Sequence, residues 1–154
     1  MTLWTPITVG AIELPHRLAM APMTRDRSRP DGVPTDLNRA YYRQRASMAF
    51  IITEGTQPSA DGQGYLLTPG IYTEAHIAGW QEITSAVHAA GGRIVVQLMH
   101  TGRISHPDKT THHPPPISPS ATQLNTPIFT TPAPQGLSTP PALALHLTSL
   151  FLLT

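Results

Sequence analysis

The sequence predicts an α/β fold built on a parallel sheet, and three observations carry that prediction. Three near-continuous apolar runs, at residues 17–21, 50–53 and 93–99, have the length and composition of buried strands. Two stretches of helical period lie between them, so strand and helix alternate. Each run also ends in small or hydrogen-bonding residues: Pro22-Met23-Thr24-Arg25, Glu54-Gly55-Thr56-Gln57 and Gln97-Leu98-Met99-His100. In parallel α/β folds the carboxyl ends of the strands share one face, where ligands bind. Two architectures satisfy these observations, a doubly wound sheet and the opening of a (β/α)₈ barrel.

Taken in order, the chain from Ile7 to Leu14 alternates apolar and polar residues about Gly10-Ala11. Glycine at the first turn position suits the type II′ turn of a short hairpin. Residues 17–21 form the first buried strand, which ends at Pro22. The chain turns around Asp31-Gly32-Val33-Pro34, and Thr35 can cap a helix running from Asp36 to about Ser47. Residues 50–53 form the second strand, bounded by Glu54-Gly55. Thr73 caps a longer helix in which Ile77, Trp80, Ile83, Thr84 and Val87 recur at steps of three and four, giving one apolar stripe. Gly91-Gly92 supplies a left-handed stop, and residues 93–99 form the third strand. Runs this apolar imply a sheet covered on both faces.

The 154 residues include 17 Pro, no Cys, ten Lys+Arg and nine Asp+Glu, for a formal charge of +1. That balance leaves no basic footprint for nucleic acid and no polybasic membrane patch. The absence of Cys excludes disulfides, thiolate metal sites and a cysteine nucleophile. The amino terminus lacks the pattern of a secretory signal, so a cytoplasmic protein is expected. Composition shifts sharply along the chain. Ten of the 17 Pro fall in residues 107–154, and no charged residue follows Lys109. A solvated globular surface mixes both signs of charge, so two parts are expected: an ordered 1–106, and a Pro-rich, loop-like 107–154 that is not a domain of its own. The closing apolar stretch is too short and too interrupted to span a bilayer.

Several chemistries fail on detail. No G-x-G-x-x-G follows the first strand, Gly62-Gln63-Gly64 sits in a loop beyond the second, and no P-loop is present. His100, His106, His112 and His113 lie close in sequence but lack the i, i+4 pairing of a zinc enzyme, so no metal site is assigned. No G-x-S-x-G elbow supports a Ser–His–Asp triad.

At the strand ends the sequence resembles the Old Yellow Enzyme family of FMN-dependent NADH:flavin oxidoreductases, the ene-reductase type. The stretches that carry the resemblance are Leu14-Pro15-His16-Arg17 running into Met20-Ala21-Pro22-Met23-Thr24-Arg25, then Tyr41-Tyr42-Arg43-Gln44-Arg45-Ala46-Ser47 and Ile51-Ile52-Thr53-Glu54-Gly55-Thr56. They continue through Gln63-Gly64-Tyr65, Pro69-Gly70-Ile71-Tyr72, Gly79-Trp80, Val87-His88-Ala89-Ala90-Gly91-Gly92 and Gln97-Leu98-Met99-His100-Thr101-Gly102-Arg103. Pro119-Ser120-Ala121 and the Pro-rich stretch after it are similar to the family's long loop beyond the third strand.

The resemblance implies a TIM barrel with FMN on its carboxyl-end face and NAD(P)H as reductant. On that basis Ala21, Pro22 and Met23 run along the flavin ring, and Thr24 offers its hydroxyl near N5, where a donor tunes the flavin. Gly55 lets the second strand approach the ring. Gln97 matches the pyrimidine edge with its amide, and a polar side chain in an apolar strand calls for a partner. Tyr65 lies over the pocket of a small-molecule substrate, an activated alkene or similar electrophile. Many relatives carry Trp where this chain has Met99.

The resemblance covers only the amino-terminal part of the family domain: a hairpin, three strands, two helices and the Pro-rich tail. The family's proton donor, its substrate-binding His/Asn pair and its phosphate loops lie in later segments, so no catalytic residue is assigned here. The expectation is a truncated flavoprotein. Residues 146–154, uncharged and uncapped, read as foreign sequence from a frameshift, a retained intron or a misplaced stop. The alternative is a non-catalytic fragment or a Pro-rich binding module, offering the P-x-x-P match Pro116-Ile117-Ser118-Pro119 to SH3 or WW domains.

Overall fold

A computed structural model describes residues 2–110, 115–122 and 143–144. Strands β1 (Ile7–Val9) and β2 (Ile12–Leu14) pair antiparallel, with Val9 opposite Ile12. Of the two loop residues between them, Gly10 alone has positive φ, at +58°, the pattern of a type II′ turn. Strand β3 is only Ala19–Met20, shorter than the apolar run it belongs to.

Helix α1 spans Asp36–Arg43. Its start follows the expected chemistry: Thr35 is extended, its N–H donates to Asn38 Oδ1 at 2.9 Å, and Asp36 and Arg43 complement the helix dipole. It stops short of Ser47 because the hydrogen bonds tighten. Arg45 N–H reaches Tyr42 O at 3.0 Å and Ala46 N–H reaches Arg43 O at 3.2 Å, both i→i−3.

Helix α2 spans Glu74–Ala89. The Thr73 hydroxyl accepts from His76 N–H at 3.2 Å. At the other end Gly92 N–H bonds Val87 O at 3.0 Å and Gly91 N–H bonds His88 O at 2.9 Å, the two bonds of a Schellman cap. Gly91 sits at φ +79°, a conformation that a side chain strains. The buried stripe is His76, Trp80, Ile83 and Val87, whereas Ile77 is 40% exposed. The phase of the helix is therefore one residue from the expected one at its start. Histidine can occupy the inner position because both ring nitrogens are used: Nδ1 accepts from Tyr72 N–H, and Nε2 lies 2.9 Å from Asp31 O, which only an N–H can satisfy.

Strand β4 (Phe50–Thr56) runs three residues beyond the expected end, so Glu54 and Gly55 lie within it. Strand β5 is Ile94–Leu98. The parallel sheet has the order β3-β4-β5. Met20, Ile51 and Ile94 meet Tyr42, Trp80, Ile83 and Val87 on the helix side, and this is the core. The expected cover on both faces does not extend to β5, where Val95, Val96 and Leu98 are exposed. As the edge strand, β5 has no neighbour beyond it among the described residues.

The chain divides into two compact units, Met1–Pro58 with Leu67–Met99, and Ser59–Leu66 with His100–Thr154. In the second, short 3₁₀ turns occupy Ala60–Gly62, Gly102–Ile104 and Pro107–Lys109. Strand β6 (Ile117–Ser118) pairs in parallel with β7 (Leu143–Ala144). Pro116 is fully buried and Ile117 and Ser118 are engaged in this ladder, so the P-x-x-P match is not presented as a free polyproline ligand. The region from His112 to Pro114, most of the Pro-rich stretch beyond Thr122, and the tail read as foreign lie outside the described residues.

The phase of α2 makes a direct prediction. Ile83→Ala should cost ~2–5 kcal/mol, whereas Ile77→Ala should cost less than ~1 kcal/mol, as read from urea denaturation midpoints.

Candidate functional site

The ladder between β4 and β5 is interrupted. Ile52 pairs with Val95, but the next pair is Gly55 with Gln97, so β4 carries one extra residue in a β-bulge. Thr53 bridges the gap, its hydroxyl accepting from Gln97 N–H at 3.0 Å and donating to Glu54 O at 2.9 Å. In a regular strand Glu54, three residues after Ile51, would point to the opposite face. The bulge resets the alternation, and the Glu54 side chain enters the helix side with 0% exposure.

There its two oxygens divide their partners. Oε1 accepts from Asn38 Nδ2 at 3.1 Å and from the Tyr42 hydroxyl at 3.2 Å, both on α1. Oε2 accepts from the backbone N–H of Arg25 at 2.8 Å. The Tyr42 hydroxyl also accepts from Glu54 N–H at 2.9 Å, so its one proton is committed to the carboxylate. Burial, and then the Glu54 charge, push the Tyr42 pKa up and keep that proton in place. Burial raises the Glu54 pKa as well, and the nearby Asp26 charge adds to this. The Arg25, Tyr42 and Asn38 hydrogen bonds oppose the rise but do not cancel it.

Arg25 is held at both ends. Its guanidinium stacks on the Tyr41 ring at 4.6 Å, and Arg45 packs over the same ring at 3.7 Å. The next residue, Asp26, takes a left-handed φ of +50°, and Arg27 Nη1 bonds the carbonyls of Arg25 and Asp26 at 3.0 Å each. The turn after Thr24 is thereby pinned, while Ala21, Pro22, Met23 and Thr24 before it are exposed.

On the sheet face away from the helices, Gly55 and Gln97 are direct ladder partners and so lie side by side. A Cβ on Gly55 would sit 2.3 Å from Met99 Cε and 2.8 Å from Met99 Sδ. Gly55 is thus a strand glycine with its open side filled by a flexible methionine, and not a turn glycine. The partner expected for the Gln97 amide is not found: half-buried, it makes no side-chain hydrogen bond among the described residues, and neither does the Thr24 hydroxyl. The Gln97 amide, the Thr24 hydroxyl and a strand with no side chain at Gly55 fit the polar-edged, flat flavin ring that the family resemblance implies.

Tyr65 belongs to the second unit. It is exposed, with Lys109 Nζ 5.4 Å from its ring centroid. That Lys109 is buried and donates to Gly64 O at 3.1 Å. Among the described residues no group of three or more His, Asp or Glu side chains could hold a metal ion, and no helix is long and apolar enough to cross a membrane.

Sequence reasoning overlooked the Glu54 cluster. The signal was slight: an acid directly after an apolar run, with Asn38 and Tyr42 one helical turn apart on α1.

The family model of the NADH:flavin oxidoreductase / NADH oxidase family matches residues 2–139. Chanoclavine-I aldehyde reductase fgaOx3 of Penicillium roqueforti is 50% identical over 107 residues, 68% of this chain and 29% of that protein. Morphinone reductase in complex with tetrahydroNAD superposes with a TM-score of 0.84 at 43% identity, over 94% of this chain and 41% of that one. The old yellow enzyme homologue from Zymomonas mobilis gives a TM-score of 0.87 at 39% identity, over 96% and 40%. The chain belongs to the NADH:flavin oxidoreductase / NADH oxidase family, and its β3-β4-β5 sheet is the opening of that family's (β/α)₈ barrel rather than a doubly wound sheet. FMN with NAD(P)H is the family's cofactor pair. The chain spans about a third of the length of the curated relatives it matches.

Two outcomes follow from the Glu54 cluster. The folded chain binds the Glu54 proton more tightly than the unfolded one, so the stability linked to that proton is complete below about 4.5 and is lost as pH rises through the higher folded value. A carbon-13 titration of the Glu54 carboxyl should place its midpoint above 4.5. Tyr42→Phe leaves the carboxylate short of a donor and should cost about 1–3 kcal/mol in denaturant unfolding.

Proposed function

We propose, from membership of this family, that the chain is the flavin-cradling portion of an FMN-dependent NAD(P)H oxidoreductase of the ene-reductase type. The observation that carries the reading is the joint placement of Gly55 and Gln97 on one face of the sheet, with hydrogen-bonding capacity unused at Gln97 and Thr24. The chemistry FMN supplies when bound is hydride transfer, from NAD(P)H to the β-carbon of an activated alkene.

In this reading the protein's own residues bind and orient. The Gln97 amide donates to and accepts from the pyrimidine edge of the ring, and the Thr24 hydroxyl donates near N5, where a donor favours the reduced form. Ala21, Pro22 and Met23 lay backbone along one side of the ring system. Gly55 keeps the strand surface low, provided that the Met99 side chain swings aside, which a methionine does at little cost. Tyr65 faces a small-molecule substrate. No residue of this chain is assigned the proton transfer. The partners implied are small molecules, and the location is cytoplasmic.

The test is a visible absorption spectrum of the purified chain with FMN added. Binding should appear as a shifted, structured flavin band, Gln97→Ala should weaken it about tenfold, and Gly55→Val should abolish it. A chain that leaves the spectrum of free FMN unchanged does not hold the flavin, and the reading fails.

A further inference from the structure

We infer that Glu54 is a positioning residue for the flavin-contacting residues Ala21, Pro22, Met23 and Thr24, acting through the backbone N–H of Arg25; the inference rests on the flavin reading above. The paired part of β3 ends at Met20, opposite Ile51, so the ladder does not hold the residues that follow. The hold comes five residues later, where Arg25 N–H meets Glu54 Oε2 at 2.8 Å. The carboxylate cannot drift, because its other oxygen is tied to Asn38 and Tyr42 on α1. The residue after Glu54 is Gly55. One peptide unit therefore links the clamp on the Thr24 segment to the strand glycine and its ladder partner Gln97, and the spacing between the Thr24 hydroxyl and the Gln97 amide depends on it.

The group has to be a carboxylate. Three donors converge on its two oxygens, and a carboxylate accepts at both without bringing a proton of its own. A glutamine of the same size puts an N–H₂ where one oxygen stood, so donor meets donor either at the Arg25 amide or at the α1 pair. Aspartate is one methylene shorter and falls short of the Arg25 amide if it keeps its α1 partners. The stack of the Arg25 guanidinium on Tyr41 holds the side chain but not the direction of the amide, so it does not substitute.

The test uses the 154-residue chain and Glu54→Gln, with two readouts. Residue-resolved hydrogen exchange should show the Arg25 amide losing about tenfold in protection while Ile83 and Val87 in α2 keep theirs, which separates a local release from general loss of stability. FMN titration should show the dissociation constant rising about tenfold, with a changed visible band for the flavin that remains bound. Should Glu54→Gln not fold, Arg25→Pro, which deletes the amide and leaves the Glu54 bonds to Asn38 and Tyr42, carries the same expectation for FMN, and Arg25→Ala, which removes the Tyr41 stack but keeps the amide, should leave FMN binding near that of the wild type. Unchanged Arg25 exchange overturns the inference, as does released exchange with unaltered FMN affinity and spectrum. A wild-type chain that takes up no FMN overturns the flavin reading itself and the positioning role with it, a result distinct from binding that is indifferent to Glu54.

Discussion

Taking the Glu54 carboxylate out of water costs several kcal/mol unless hydrogen bonds replace its hydration, and the first unit is arranged to supply them. The donors come from two places in the chain, the turn after β3 and helix α1, so each of those is tied to β4 by the same group. The bulge at Thr53 and Glu54 brings the carboxylate to the helix side, and Thr53 repairs the ladder that the bulge breaks. Helix α1 accordingly meets the sheet with a polar pair, Asn38 and Tyr42, where α2 uses Trp80, Ile83 and Val87. The two helices pack by different chemistry because only one of them has a charge to satisfy.

That arrangement separates the two faces of the sheet. The helix face carries the apolar core and the buried carboxylate. On the opposite face, at the carboxyl ends of β4 and β5, stand Gly55, Gln97 and Met99, which leave hydrogen-bonding capacity unused and space occupied only by a movable thioether. Such a face gains little by folding alone and much by covering a ring that has both an apolar surface and a polar edge. The exposure of Ala21, Pro22, Met23 and Thr24 beside it has the same character, since their backbone is held at Arg25 rather than by neighbours of their own.

Much of this was legible in the chain before its structure. The hairpin turn at Gly10, the caps at Thr35 and Thr73 and the Gly91 stop each rest on local backbone chemistry, which a few adjacent residues determine. The residues expected at the strand ends were also found at one rim, because the alternation of strand and helix sends every carboxyl end the same way. What escaped were features that depend on contacts distant in sequence. Ile77 follows a helical period as well as His76 does, and the choice of histidine depends on the Asp31 carbonyl, 45 residues away, together with the Tyr72 amide. Glu54 looked like the end of a strand because an acid is a poor candidate for a strand interior. Its donors lie 12 to 29 residues upstream and become visible only when the chain has folded.

A sheet that needed only stability would fill the Glu54 position with an apolar side chain, since exchanging a buried polar cluster for well-packed hydrocarbon is often neutral or favourable. The chain instead holds a carboxylate, a phenol and an amide in mutual register and accepts a desolvated charge whose pKa is raised by its burial. An apolar side chain could fill the same volume but could not take a backbone N–H. The Arg25 amide would then lose its partner, and the turn that carries Thr24 would be held only from its far side, at Arg27 and Ser28. The desolvation cost falls one residue from Gly55, at the point where the sheet meets the open rim. Costs of this kind are sustained where geometry at a site matters more than a fraction of the folding free energy, and on that argument the buried acid and the open face beside it are two parts of one device.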